Sequence, residues 1–450
     1  MNMPFCDVCP ISNKCIPDTK YFYESTGNKR IPPQEYCKKQ FEANDKEFDN
    51  FYLNNIIKHT DNLYTITNIY PEFQEFMEEN NLVPEYTKMP LNITLMLTEK
   101  CNLKCKYCYE VFSGNMKAKS MTLDMAEKII DLYVSEDQRS SCENMTWDFI
   151  GGELFTEFDL VKNTIDYLIK RYSDIGLCPR RYLALSLCTN GTLFTPEIKK
   201  WCEQMINRVS YFGIGVSLDG PKHVHDINRC NSFDRVMESF KWLRANFPQE
   251  TVKGTLNPDT VGYLSESVKF YVEELKLPKF FINPTFEGPW NEELATVYSE
   301  QLIECAHYFL DHPEYRVLEN SNLFFDTRIK LLKRRNWCGS GLNMRAFTPD
   351  GSIYPCIRAA TSRLHKIGNV DNGVDINKII PFFFYTTHND IKECDDCRFI
   401  NMCPSCVMEW VENTNDMYVR SINFCLMTKA KYLVSELYCN HAKEVQGQSF

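Results

Sequence analysis

The sequence predicts an α/β fold, and three observations carry that prediction. Between about residues 91 and 310, short apolar runs alternate with stretches of helical spacing, six times over. Hydrophobic residues make up 44% and charged residues 24% of the 450 positions, ordinary values for a globular enzyme with a large core and two or three domains. No window offers about 18 uninterrupted apolar residues, so no membrane span is expected. Strands alternating with helices at this pitch specify a parallel sheet with right-handed crossovers. Periodicity alone leaves a partly closed barrel and an open doubly wound sheet as alternatives. In both, the ligand site lies at the C-terminal ends of the strands.

The units follow in order. "LNITLMLT" (91–98) is a β-branched apolar run, and "MTLDMAEKIIDLYVSE" (121–136) has helical spacing behind a Thr suited to capping. "MTWDFI" (145–150) precedes the amphipathic "FDLVKNTIDYLIKRY" (158–172). "YLALSLCT" leads to "PEIKKWCEQM", and "SYFGIGVSL" to "FDRVMESFKWLRANF". "VKGTLN" with "GYLSESVKFYVEELK", and "KFFINPTF" with "EELATVYSEQLIECAHYFL", complete the six. Residues 41–90 read as mixed short helices without a repeat.

Charge and targeting signals narrow the function. A net charge of −10 leaves no basic surplus for phosphates, which argues against nucleic acid or an anionic membrane as partner. The run "IKLLKRRNW" (329–337) reads as a solvated helix face. "MNMPFCDVCP" lacks the basic and apolar regions of a signal peptide, so a cytoplasmic location is expected. Thiols stay reduced there, and the 21 cysteines therefore read as metal ligands or catalytic groups rather than disulfides.

The strand ends carry the chemistry. After the first strand, "TEKCNLKCKYCYE" brings Cys101, Cys105 and Cys108 together on one tight loop. A cubane iron–sulfur cluster usually takes four thiolates, so three leave one iron open to a ligand. The bland alternatives are a zinc site or buried cysteines, but structural zinc favours paired C-x2-C units. The next strands end in "GGELF", "CTNGT" and "SLDGPKHVHDINR".

These motifs, in this order, resemble the radical S-adenosylmethionine (radical SAM) superfamily. The resemblance implies a partial (β/α)6 TIM-type barrel over 91–315, with Tyr107 as the aromatic residue before the last cluster cysteine. It implies that Gly151, Gly152 and Glu153 meet the amino group of S-adenosyl-L-methionine, that Asn190 lies in the third-strand motif, that Ser217 touches the ribose, and that Arg229 meets the carboxylate. Leu154 stands where the family usually has Pro. The implied chemistry is chelation of the open iron by S-adenosylmethionine and one-electron cleavage to a 5′-deoxyadenosyl radical, with the protein supplying orientation and exclusion of water.

Beyond residue 337 the cysteines change pattern. Cys338, Cys356, Cys394, Cys397, Cys403, Cys406 and Cys425 resemble the SPASM domain, except that two residues rather than three separate Cys403 from Cys406. The resemblance implies an irregular Cys-rich domain over 316–450 with a C-terminal helix. In it, Cys394, Cys397, Cys403 and Cys425 hold one auxiliary 4Fe–4S cluster, while Cys406 joins Cys338 and Cys356 on another. A zinc-ribbon reading is the alternative. At the N-terminus (1–90), Cys6, Cys9, Cys15 and Cys37 repeat the same C-x2-C-x5-C opening as Cys394, Cys397 and Cys403, and suit a further cluster, zinc or free thiols. That segment is short for a leader-recognition module.

The seven remaining cysteines, 142, 178, 188, 202, 230, 305 and 439, read mostly as buried small residues, with Cys230 a candidate to face the cofactor and Cys439 to complete a cluster. His223 and His225 read as surface loop residues. The resemblance points to a maturase of ribosomally made peptides, for example one forming a thioether crosslink. The partners would be a peptide with a leader segment and a low-potential electron donor such as flavodoxin or ferredoxin. The alternatives are an anaerobic sulfatase-maturating enzyme and a non-enzymatic iron–sulfur carrier or regulator. The sulfatase enzymes carry an Asp base directly after the Cys matching Cys356, where this chain has Ile357.

Overall fold

A computed structural model describes residues 91–108, 118–285, 288–327, 338–341, 343–375, 378, 394, 397–400, 403, 406–414 and 420–446. The N-terminal cysteines Cys6, Cys9, Cys15 and Cys37, the segment 41–90 and the whole basic run at 329–337 lie outside the described residues.

All six predicted strands form: β1 (Asn92–Thr98), β2 (Thr146–Gly151), β3 (Ala184–Thr189), β4 (Tyr211–Ser217), β5 (Val252–Leu256) and β6 (Phe280–Pro284). They pair in parallel in sequence order. The main helices between them are α1 (Leu123–Tyr133), α2 (Phe158–Asp174), α3 (Pro196–Met205), α4 (Lys222–Asn228), α5 (Phe233–Asn246) and α6 (Leu264–Lys269), with α7 (Glu292–Asp311) after β6. Their starts have local causes. Thr122, Thr195 and Asn291 each accept a backbone N–H of the first turn, and Pro196 occupies the first helical position of α3. After α6 the chain winds a π turn over Phe270–Glu274, which sends the Tyr271 hydroxyl to the Leu218 carbonyl at 2.6 Å.

Alternation in β2 and β3 defines two faces. Trp147, Phe149, Leu185 and Leu187 are fully buried on the helix side, as are Val161, Ile165 and Leu168 of α2. Each such side chain contributes about 1.5–3 kcal/mol through burial. Asp148, Ile150, Ser186 and Cys188 alternate with them, half-buried on the inner face. A sheet covered on both faces would read as continuous apolar runs instead.

The sheet is an open, partial (β/α)6 barrel, and it extends beyond the six units. A seventh parallel strand, β7 (Met344–Phe347), joins β1 on the side away from β2. An antiparallel run of β8 (Ser352–Tyr354), β9 (Gly368–Asn369) and β10 (Gly373–Val374) follows, giving the order β10-β9-β8-β7-β1-β2-β3-β4-β5-β6. The Cys-rich region is therefore hydrogen-bonded into the barrel sheet across residue 316. Helices α8 (Ile357–Ser362), α9 (Val407–Thr414) and α10 (Ile422–Gln446) complete the described structure.

Candidate active site

The cysteine loop leaves the C-terminal end of β1, and its root is gripped by the end of β2. Gly152 N donates to the Thr98 carbonyl at 2.8 Å and Glu153 N to the Lys100 carbonyl at 2.7 Å. A Cβ at Gly151 would stand 2.0 Å from Thr98 O, and one at Gly152 2.3 Å from Lys100 O. The close approach that these glycines allow is thus made to the cysteine loop itself. Glu153 is fully buried, and its carboxylate accepts from Thr189 Oγ1 at 2.7 Å, Asn190 N at 2.6 Å and Phe155 N at 3.2 Å. Burial pushes its pKa up against the pull of these hydrogen bonds. The carboxylate is occupied by protein donors and ties β2 to β3.

Asn190 carries that tie to the loop. Its Nδ2 donates to Asn102 Oδ1 at 2.9 Å and lies 3.8 Å from Cys101 Sγ, while Asn102 Nδ2 reaches Thr192 Oγ1 at 2.8 Å. Ser217 sits half-buried at the end of β4, in register with Lys253.

Asp219, inside "SLDGP" but given no role by sequence reasoning, is the hub of the other side. It is fully buried and accepts from Tyr107 Oη at 2.6 Å, Arg229 Nε at 2.9 Å, Asn228 Nδ2 at 3.3 Å and Thr255 N at 3.0 Å. The Arg229 guanidinium carbon lies 5.3 Å from the Tyr107 ring centroid, within cation–π range. Burial disfavours the guanidinium charge, but Asp219 outweighs it and keeps Arg229 firmly ionised. One carboxylate thus positions both the loop aromatic and the cation predicted to meet a carboxylate.

The three thiols respond to one another. Burial pushes Cys105 up to about 11, with Arg229 pulling down and the charges of Cys108 and Cys101 adding to the rise. Cys101 is raised by burial, Glu153 and Cys108, against a hydrogen bond from Leu103 N. Three mutually repelling thiols need a cation to be held deprotonated together, and a coordinated iron supplies one. The donor set fits a cluster.

The C-terminal cysteines form two groups. Cys394, Cys397, Cys403 and Cys425 all line one pocket, walled by Trp410 and Tyr432 and bordered by Arg420. Cys338, Cys356 and Cys406 form the second. Burial raises Cys406 to about 12, with the Cys356 and Cys338 charges adding to it, and raises Cys338 to about 11, with Cys356 contributing. Cys356 and Cys406 immediately precede α8 and α9, whose first-turn N–H groups favour their thiolates. Among the described residues, no three His, Cys, Asp or Glu side chains stand close enough to share a single metal ion. A cubane, with one iron per thiolate, does not impose that spacing.

One expectation changes. His225 belongs to α4 rather than a surface loop and is fully buried, because its Nδ1 accepts from Asp219 N at 3.3 Å and its Nε2 meets Ser232 Oγ at 2.9 Å. Burial lowers its pKa to about 4. His223 on the same helix does face solvent, 3.4 Å from Glu266. Among the leftover cysteines, 142, 202, 305 and 439 are buried, Cys178 and Cys230 are exposed, and Cys188 is half-buried. Cys230 Sγ donates to the Lys104 carbonyl at 3.0 Å, and Cys439 Sγ lies 3.6 Å from the Phe325 carbonyl.

An open α/β barrel with three thiols at the end of its first strand is the frame of a cofactor-dependent enzyme. Residues 95–262 match the Radical SAM superfamily. Over that span the chain carries a radical SAM domain. It is 25% identical over 337 residues to a cysteine-type anaerobic sulfatase-maturating enzyme of Clostridium novyi, covering 68% of this chain and 85% of that one. It is 22% identical over 363 residues to the antilisterial bacteriocin subtilosin biosynthesis protein AlbA of Bacillus subtilis, covering 77% of this chain and 72% of that one. The solved structure of native anSMEcpe with bound AdoMet shares the fold, with a TM-score of 0.59 and 18% identity over 79% of this chain and all of that one. Among the described residues, no helix is long and apolar enough to cross a membrane.

Proposed function

We propose that this radical SAM enzyme matures a ribosomally made peptide, removing hydrogen from a backbone or side-chain carbon, as in thioether crosslinking. The observation that carries this reading is the grouping of ten cysteines: three at the barrel mouth, four around one C-terminal pocket and three in a second C-terminal group, two of which immediately precede α8 and α9. When loaded, the first group with S-adenosylmethionine supplies a carbon-centred radical, and the other two supply auxiliary 4Fe–4S clusters. Cys101, Cys105 and Cys108 would hold the first cluster. Gly151, Gly152, Glu153, Asn190, Ser217, Arg229 and Tyr107 would shape the cofactor seat. Arg229, kept ionised by Asp219, offers a carboxylate a charged donor. The peptide and a low-potential electron donor are the partners this implies.

Anaerobically reconstituted, dithionite-reduced protein should convert S-adenosylmethionine to 5′-deoxyadenosine, and Cys105→Ala should abolish it. Iron content separates about 12 per chain for three clusters from about 16 if Cys6, Cys9, Cys15 and Cys37 hold a fourth. Absence of turnover in loaded protein overturns the reading.

Anaerobic sulfatase maturation is the second reading, favoured by 85% coverage of the Clostridium novyi relative. Ile357, the first residue of α8, stands against it, since no carboxylate follows Cys356. Formylglycine formed on a sulfatase-derived Cys or Ser peptide would decide for it.

A further inference from the structure

Below the mouth of the barrel, the inner face carries a polar cluster that neither the cysteine groups nor the cofactor seat uses. Cys188 on β3 is directly paired with Gly215 on β4, and Ser217, two residues on, is paired with Lys253 on β5. A Cβ at Gly215 would stand 3.2 Å from Lys253 Cε, so the missing side chain is what lets the lysine stem lie across β4. Its Nζ then meets Cys188 Sγ at 3.0 Å. A second glycine, Gly213, leaves the same kind of room for Tyr211, whose hydroxyl would be 2.5 Å from a Cβ there. Asp148, bonded to Asn92 at 2.5 Å, lies on this face and, with Tyr211, adds to the field on Lys253. Two glycines spent on one strand to seat an ammonium beside a thiol indicate a built pair.

Its depth matters. Cys188 precedes Asn190 by two residues on the same side of the chain, about 7 Å along the strand. Asn190 touches the loop at Cys101. The thiol therefore stands one side-chain layer below the cluster loop, within a barrel interior open to solvent at Lys253 and Tyr211.

We propose that Cys188, with Lys253 as its proton source, is a hydrogen-donating group for carbon-centred radicals formed inside this barrel. This rests on the radical SAM reading above. An S–H bond is weaker than most C–H bonds, so transfer to carbon runs downhill. The radical carbon gains one electron from sulfur and one proton, held between Sγ and Nζ, to make a C–H bond. A sulfur-centred radical is left. One electron from the low-potential reductant that charges the protein, and one proton from solvent through Lys253, restore the pair.

The test needs no peptide. Loaded, dithionite-reduced protein is turned over with S-adenosylmethionine in D2O, where the Cys188 proton exchanges, and the deuterium content of 5′-deoxyadenosine is read by mass spectrometry. Most product from the unaltered protein should carry deuterium, and Cys188→Ala and Cys188→Ser should each cut that fraction at least threefold. Cys178→Ser, altered before the N-terminal end of β3, should not. In parallel, iodoacetamide labelling of Cys188, read by peptide mapping at pH 7.5, should slow severalfold in Lys253→Met, because the ammonium 3.0 Å from the sulfur is gone. Normal yield of 5′-deoxyadenosine with an unchanged deuterium fraction in both Cys188 variants overturns the proposal and leaves the parent reading standing. No 5′-deoxyadenosine at all overturns both.

Discussion

At the scale of single residues, the site is held by groups whose partners are protein atoms. Glu153 and Asp219 are both fully buried carboxylates, and each joins chain segments far apart in sequence. Asp219 does so with an ion pair to Arg229 at 2.9 Å, in surroundings where truncating one member leaves a buried charge uncompensated. Gly152 works by absence: Lys100 O, Glu99 O and Lys100 C lie within 2.6 Å of a Cβ there, and all three are backbone atoms that cannot swing aside. Gly152→Ala should therefore destabilise the protein by about 1–3 kcal/mol, as overpacking does, and lower its iron content at the barrel mouth. Denaturant unfolding and iron analysis check both parts.

At the scale of elements, α4 shows how a short helix organises the mouth. Its seven residues place His225, Asn228 and, at its C-terminal end, Arg229 against Asp219. His225 is neutral there, accepting at Nδ1 and facing Ser232 with Nε2. With a folded pKa of about 4, the folded state refuses a proton that the unfolded chain accepts near 6.5. Stability from this group is thus complete above about pH 6.5 and is lost as pH falls towards 4, up to about 3 kcal/mol. Unfolding curves at pH 7 and pH 5 should show that loss in the unaltered protein and a smaller one in His225→Gln.

At the scale of the whole molecule, barrel and Cys-rich region are one hydrogen-bonded system. Strand β7 extends the parallel sheet from β1, and Arg363, just after α8, forms an ion pair with Glu99 at the root of the cysteine loop. Glu99 also accepts from Lys119 N at 3.0 Å, so it anchors three segments. Glu99→Gln should cost about 2 kcal/mol, the worth of a charged hydrogen bond in a largely buried setting. A shifted denaturation midpoint measures it, and an unchanged midpoint would show that this ion pair does not couple the two regions.

The sequence by itself determined the six strand–helix units, the order of the motifs at the strand ends and the cysteine loops, because each is local. Strand periodicity records that one face meets helices, and a tight loop brings its own cysteines together. What only the tertiary structure decided lies between distant segments. The addition of β7 to the sheet, the burial of His225, the convergence of Tyr107 and Arg229 on Asp219, and the passage of Lys253 over Gly215 to Cys188 all depend on register. Register between strands is set by packing of the whole sheet, so no single stretch of the chain carries it.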